Sequence, residues 1–209
     1  MRSLLVTLVM LASSYAAHAC VHCAYAAAVR GGHAIAGTWL PAGASDSSFV
    51  KSKLATATLE MKNATFMYDT NEWSILQDSL PNESFDGQFQ HVDGNIRGMV
   101  MSVKEFQPAT EFLDSFVGGM AETYPGTKLV SKRDVTVNNE KMLEIQIDMP
   151  IDQTPVRYYG YLHAGSRGIA MALAVCHSEL YREVSSTLTT FTSGLVISRP
   201  KNQIKYKRK

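Results

Sequence analysis

Between residues 143 and 149 the chain reads Leu-Glu-Ile-Gln-Ile-Asp-Met, so apolar and polar side chains alternate strictly. Because successive side chains of a β-strand point to opposite faces, this period of two predicts a strand with one face buried in a core. Asn138 and Asn139 form a turn signal between this strand and an earlier one over 129–137. The pattern therefore predicts an antiparallel hairpin in this part of the chain.

Further strands are predicted on both sides of this hairpin. The segment 169–176 is apolar on both faces, which is typical of a central strand that is covered on each side. Lys62 and Asn63 form the turn of a first predicted hairpin, and Asp93 and Gly94 precede a longer strand. The remaining predicted strands span 54–59, 64–67, 73–76, 95–103 and 156–162.

Two long helices are predicted among the strands. Pro108 suits the first position of a helix, because its missing N–H would have no partner there, and Gly126 marks the end of that helix. Ser178 is the predicted cap of the second helix. Strands joined by short turns, with only two helices, predict an α+β layered sandwich with a mainly antiparallel sheet. The apolar stripes are Phe112, Leu113, Phe116, Val117 and Met120 in the first helix, and Leu180, Val184, Leu188, Phe191 and Leu195 in the second.

Residues 1–19 have the three parts of a secretory signal. The cation Arg2 precedes an apolar run, and the small residues Ala17 and Ala19 precede a cleavage site. The apolar run is shorter than the roughly 20 residues that a membrane-spanning helix needs, so cleavage is favoured over a retained anchor. The sequence therefore predicts an extracytoplasmic protein, either periplasmic or secreted.

The rest of the chain divides into three parts. Residues 20–49 are predicted to be a flexible linker, since much of this segment is rich in Gly, Ala and Ser. One folded domain is predicted over 50–198, and a basic tail follows over 199–209. The tail contains no acid, and its cations are Arg199, Lys201, Lys205, Lys207, Arg208 and Lys209.

A basic tail of this kind suits a weak contact with an anionic membrane surface. A disordered, solubilising end is the favoured alternative, because a short charged segment has no apolar surface to bury. A nucleic acid partner is not expected.

The cysteines leave several alternatives open near the predicted cleavage site. The mature chain is predicted to begin at Cys20, and lipidation of Cys20 is a less favoured alternative because Ala-His-Ala precedes it. Cys20 and Cys23 with His22 between them resemble half of a metal or redox site, but a second pair of ligands at regular spacing is missing. No metal and no cofactor is therefore predicted. Cys176 is expected to be a small buried side chain.

Four polar and aromatic side chains share one face of the strand over 156–162. Such a row suits the binding of a carbohydrate, a peptide or an anion. Cross-strand packing beneath a neighbouring helix or hairpin is the alternative, and it is the commoner role of such a row. The chain contains no nucleophile elbow and no phosphate loop. The row, which is the predicted ligand-binding set, consists of Arg157, Tyr159, Tyr161 and His163.

The order of elements over 66–197 resembles the PsbP/Mog family, which includes bacterial envelope proteins such as DcrB. The resemblance implies a non-catalytic binding, assembly or chaperone-like module with a protein or peptide partner in the envelope. A small envelope hydrolase with an unrecognised site is the alternative. The features that carry the resemblance are Phe66-Met67-Tyr68 with Trp73 after it, the helix over 109–123, the strand pair around 140–149, Arg157-Tyr158-Tyr159-Gly160-Tyr161, the strand over 168–176 and the closing helix.

Overall fold

The computed structural model describes residues 55–76 and 85–197. The predicted signal, linker and basic tail, with Cys20 and Cys23, lie outside the described residues. The described elements in chain order are β1 (Ala57–Glu60), β2 (Ala64–Tyr68), β3 (Trp73–Ile75), β4 (Gly87–His91), β5 (Arg97–Val103), α1 (Ala109–Thr123), β6 (Lys128–Val137), β7 (Glu140–Ile151), β8 (Thr154–Gly165), β9 (Gly168–His177), a 3-10 turn (Ser178–Leu180), α2 (Tyr181–Thr192) and β10 (Leu195–Ile197).

The strands form two sheets. A sheet of seven strands has the order β3-β4-β5-β9-β8-β7-β6, and a sheet of three strands has the order β1-β2-β10. Every strand pair in the described ranges is antiparallel. β9 lies between β5 and β8 and is buried along both faces, which confirms the prediction of a covered central strand.

Two-residue turns set the register of the long strands β6, β7 and β8. Asn138 and Asn139 join β6 to β7 with φ of 51° and 64°, and Asp152 and Gln153 join β7 to β8 with φ of 47° and 68°. A pair of left-handed residues matches the twist of a hairpin, and Asn and Asp tolerate that conformation better than most side chains. The predicted turn at Asn138 and Asn139 is confirmed.

α1 covers one face of the seven-stranded sheet. Its buried side chains Phe112, Leu113 and Phe116 belong to a core cluster with alternate residues of the strands, among them Ile145 and Ile147 of β7. The alternation that the sequence shows over 143–149 therefore has one face in this core, as predicted.

The opposite face of the same sheet packs against α2 and the three-stranded sheet. Here β9 presents only small side chains, so that aromatic rings and a helix can approach its backbone closely. Phe191 of α2 contacts Trp73 and Phe66, whose ring centroids lie 4.0 and 4.8 Å from its own. The small side chains of β9 on this face are Ala170, Ala172, Ala174 and Cys176.

The structure confirms an α+β fold with a mostly antiparallel sheet and two helices, while the layered-sandwich detail stays a prediction. The second helix differs from its prediction at both ends. Leu195 lies in β10 and not in the helix, because the helix ends at Thr192 and Gly194 follows. Ser178 is not the cap: the His177 Nδ1 accepts from the Glu179 N–H.

β4 was not predicted from the sequence. It reads Gly-Gln-Phe-Gln-His, and Phe89 is its one large apolar side chain, so the strand lacks a recognisable apolar pattern. Tertiary packing forms it instead, since β4 pairs with both β3 and β5. No helix in the described ranges is both long and apolar enough to cross a membrane.

Candidate functional site

β8 carries the four residues of the predicted ligand-binding set and places them on the face that α2 covers. Tyr161 is 0% exposed and Tyr159 is 5% exposed, so a partner has almost no access to either ring. Arg157 and His163 are half-buried at the two ends of the row, and the His163 Nδ1 lies 3.1 Å from the Lys141 carbonyl oxygen. The structure therefore brings the four together but presents only the ends of the row to solvent.

A buried carboxylate lies beside the two tyrosines. Glu144 of β7 is 3% exposed and pairs in register with Tyr161. The Tyr159 hydroxyl donates to the Glu144 Oε2 at 3.1 Å, and the two tyrosine hydroxyl oxygens are 2.9 Å apart. Since the Tyr159 hydroxyl donates its hydrogen bond to Glu144, the Tyr161 hydroxyl is the donor in the bond between the two tyrosines.

Arg133 of β6 holds the same carboxylate from the solvent side. Its Nε donates to the Glu144 Oε1 at 2.8 Å and its Nη2 donates to Oε2 at 2.9 Å. The Arg133 side chain is 63% exposed, whereas that of Glu144 is 3% exposed. A carboxylate so deeply buried is costly unless it is paired, and this two-point contact supplies the pairing.

A second arginine and carboxylate pair lies on the same face. The Arg157 Nε donates to the Asp148 Oδ1 at 2.6 Å, and Nη2 donates to Oδ2 at 2.9 Å. The Arg157 guanidinium also lies over the ring of Tyr181, with its carbon 4.8 Å from the ring centroid. β7, β8 and α2 therefore fix this guanidinium from three sides.

The tyrosines of the cluster stay protonated under ordinary conditions. Burial raises the pKa of Tyr159 far above its usual range, with Tyr161 adding to the effect. Burial also raises the pKa of Tyr161, to about 12, and raises that of Tyr181. These hydroxyls therefore act as hydrogen-bond donors at neutral pH and do not serve as bases.

Both arginines keep their charge for a related reason. The hydrogen bonds to Glu144 raise the pKa of Arg133, and the hydrogen bonds to Asp148 raise the pKa of Arg157. The cluster thus holds two fixed positive groups in defined positions.

The accessible part of this face is a polar shelf, which we define as Ser131, Arg133, Gln146, Asp148 and Arg157. Ser131 pairs with Gln146, and Asp148 pairs with Arg157, so the five side chains lie on adjacent positions of β6, β7 and β8. Guanidinium and amide groups of this kind recognise carbonyl and carboxylate oxygens. Among the described residues, no group of three or more His, Cys, Asp or Glu is placed to hold a metal ion.

Sequence reasoning missed most of this shelf. In the alternating segment 143–149 the polar positions belong to the face opposite α1, yet Glu144 is buried between Tyr159 and Arg133. A usable signal was present, because Glu144, Gln146 and Asp148 alternate on one strand while Arg157 and Tyr159 alternate on the next. The burial of Cys176 was predicted correctly.

Comparison with solved structures supports the fold. The solution structure of cyanobacterial PsbP (CyanoP) from Synechocystis sp. PCC 6803 is similar, with a TM-score of 0.52 and 11% identity over 75% of this chain and 98% of that one. PA94 from Pseudomonas aeruginosa, a protein of unknown function, matches with a TM-score of 0.43 and 8% identity over 69% of this chain and 97% of that one.

A third similar structure is LpqN of Mycobacterium tuberculosis, which is involved in cell envelope biogenesis. It matches with a TM-score of 0.40 and 10% identity over 62% of this chain and 80% of that one. Of these three likenesses, the one to CyanoP supports the fold, because the other two TM-scores are below 0.5. No protein-family model and no curated protein sequence matches the chain. The fold is thus similar to that of PsbP at very low sequence identity.

Proposed function

We propose that this chain is an exported, non-enzymatic binding or assembly module of the cell envelope that uses the polar shelf as its contact surface. The observation that carries the proposal is the guanidinium of Arg133, exposed to solvent and anchored on the buried carboxylate of Glu144. The secretory signal predicted over 1–19 supports an extracytoplasmic location, and the PsbP-like fold is consistent with the PsbP/Mog family.

Both arginines of the shelf are organised before any partner arrives. Each uses its Nε and one Nη atom for a carboxylate, which leaves the other Nη group for a partner. Ordering a long side chain costs about 0.5–1.5 kcal/mol on binding, and residues already held in place avoid most of that cost. Such a surface favours a partner with carbonyl or carboxylate oxygens, so a protein or peptide of the envelope is the proposed class.

The row that the sequence singled out contributes in two ways under this proposal. Arg157 contacts the partner directly, while Tyr159 and Tyr161 position Glu144 and Arg133 from below. His163 lies at the far end of the row, beside the Lys141 carbonyl, and is a marginal contact. The tyrosines are therefore positioning residues.

Site-specific photocrosslinking in the native envelope tests the proposal. A photoreactive residue replaces Ser131, on the shelf, and in a matched control it replaces Ser115, which is exposed on α1. We expect a discrete protein adduct from position 131 and none from position 115. Equal adducts from both positions, or none from 131, would contradict the proposed contact surface.

Outside the described residues, lipid anchoring at Cys20 is not favoured. Contact of the tail 199–209 with anionic membrane surfaces is a proposal separate from the polar shelf. A small envelope hydrolase stays the alternative function.

A further inference from the structure

The outer edge of β6 differs from the other sheet edges. β3 and β10 have three residues each and β1 has four, whereas β6 has ten. Proteins commonly keep edge strands short, because an open edge presents unpaired N–H and C=O groups to other chains. Among the described residues, no strand pairs with β6 on the side away from β7.

A bulge divides β6 into a distorted part and a regular part. The register with β7 shifts between Leu129 and Ser131, and Val130 projects into solvent. From Ser131 to Val137 the pairing with β7 is continuous. A bulge bends the strand locally and blocks pairing there, so the regular part is the stretch that another strand can join.

The two-residue turn at Asn138 and Asn139 fixes which backbone groups face outward. In such a hairpin the flanking residues, Val137 and Glu140, exchange both of their hydrogen bonds, and the pattern alternates from there. Counting back along β6, the groups that point away from β7 belong to Lys132, Asp134 and Thr136.

The charges on β6 indicate the chemistry of an added strand. β6 carries Lys128, Lys132 and Arg133 against the single acid Asp134, whereas acids outnumber cations in the described residues as a whole. Arg133 is neutralised in part by Glu144. Basic side chains on the edge disfavour a second copy of the same strand and favour an acidic one.

We infer that the regular part of β6, from Ser131 to Thr136, adds an extended acidic segment of a partner protein as an eighth strand. This strand addition rests on the proposed binding function. The partner class is a polypeptide with carboxylate side chains opposite Lys132 and Arg133. Main-chain hydrogen bonds to Lys132, Asp134 and Thr136 supply affinity, and side chains on alternate positions supply specificity. A strand in this place also brings side chains over Ser131 and Arg133 of the polar shelf.

Selection from a displayed library of random peptides of about twelve residues, enough for one strand with margins, provides the probe. We expect the selected peptides to be rich in Asp and Glu, with acids at two consecutive positions, because Lys132 and Arg133 are neighbours in β6 and lie on opposite faces of the sheet. A synthetic copy of a selected peptide, bound to the full-length protein, should slow hydrogen exchange at the backbone amides of Lys132, Asp134 and Thr136. The amides of Arg133 and Val135 should exchange slowly in both states, because they already bond to β7.

Two variants at one position separate backbone pairing from side-chain contact. Thr136→Pro removes an outward N–H that the β7 ladder does not use, and we expect peptide binding to weaken at least about tenfold. Thr136→Val keeps the N–H and should change the affinity by less than about twofold. Thermal unfolding of both variants checks that the domain is intact, and Lys132→Glu should weaken binding of the acidic peptide without altering that unfolding.

Several outcomes would overturn the inference. These are a selection that yields no acidic peptides, a bound peptide that leaves the three outward amides unprotected, and equal binding by Thr136→Pro and the unchanged protein. Protection of the same amides by self-association, without peptide, would assign the edge to a second copy instead. If any of these occurs while Ser131 still crosslinks to an envelope protein, strand addition is wrong and the binding-module function stands.

Discussion

At the scale of single residues, the central polar contact of the site joins an exposed arginine to a buried carboxylate. Arg133 and Glu144 are neighbours across β6 and β7, yet their exposed fractions differ widely. A pair of which only the acid is buried adds little net stability, because desolvation of the carboxylate offsets the attraction, but removing the arginine leaves that carboxylate without its cation. The pair is therefore sensitive to single changes and tolerant of matched ones.

Arg133→Ala should lower the free energy of unfolding by about 1–3 kcal/mol, because Glu144 loses its hydrogen-bonded cation, while the loss of the arginine side chain also lets water approach the carboxylate. Adding Glu144→Gln to the same chain should restore most of that loss, since a neutral amide needs no cation. Denaturant unfolding of the two single variants and the double variant measures the coupling. The control Lys132→Ala, on the exposed neighbour, should stay within about 0.5 kcal/mol of the unchanged protein, and additive effects of Arg133→Ala and Glu144→Gln would contradict the pairing.

Tyr161 gives the domain a loss of stability at alkaline pH. Its pKa is about 12 in the folded state, above the ordinary tyrosine value of 10.0, because burial disfavours the phenolate. The folded state therefore holds a proton that the unfolded state releases, and stability falls as pH rises from about 10 toward the folded pKa. The full difference amounts to about 2–3 kcal/mol, since one pKa unit corresponds to about 1.4 kcal/mol.

Denaturant unfolding at pH values between the two pKa values measures this effect. Tyr161→Phe should flatten the alkaline loss, although the burial of Tyr159 leaves a part of it. Tyr68→Phe is the control, because Tyr68 is only half-buried. Equal slopes in the Tyr161→Phe and Tyr68→Phe variants would show that Tyr161 does not carry the alkaline dependence.

At the scale of elements, the clearest sequence patterns predicted the structure well. The alternation over 143–149 and the turn at Asn138 and Asn139 are local signals, and the structure has the predicted hairpin there. β4 and the register of β10 depend on partners far away in sequence, which a local pattern does not contain. Tyr159 was predicted, but its link to Glu144 and Arg133 was missed for the same reason, since the three residues come from three strands.

Two glycines in different elements should respond oppositely to substitution by alanine. A Cβ on Gly98 of β5 would overlap the Phe191 ring of α2, so Gly98→Ala forces that ring to move and should destabilise the domain by about 1–3 kcal/mol. A Cβ on Gly118, exposed in α1, would meet nothing within 4 Å. Gly118→Ala should therefore stabilise the domain by about 0.5–1 kcal/mol through helix propensity. Thermal and denaturant unfolding of the two variants measure both effects. Destabilisation by Gly118→Ala would contradict the open space around this position.

At the scale of the whole molecule, the charges are unevenly distributed along the chain. Acidic residues outnumber basic residues in the described part of the chain, whereas the segment 199–209 contains basic residues and no acidic ones. The last described strand, β10, pairs with β2, and its Leu195 and Ile197 are buried. The domain boundary at 198 stays a prediction.

Truncation after Ser198 should leave the free energy of unfolding within about 1 kcal/mol of the full chain, because it removes no described contact. Truncation after Gly194 is the matched control and should unfold the domain, since it deletes the buried Leu195 and Ile197.

The truncation after Ser198 should also weaken binding to vesicles with anionic lipid, because each cation near such a surface contributes up to about 1 kcal/mol. That attraction is screened over roughly 8 Å at physiological salt, so the difference between full and cut chains should shrink as salt rises and vanish on neutral vesicles. Equal binding of the full chain and the chain truncated after Ser198 to anionic vesicles at low salt would leave the tail without a role at the membrane surface. Unfolding of the chain truncated after Ser198 would place the domain boundary beyond residue 198.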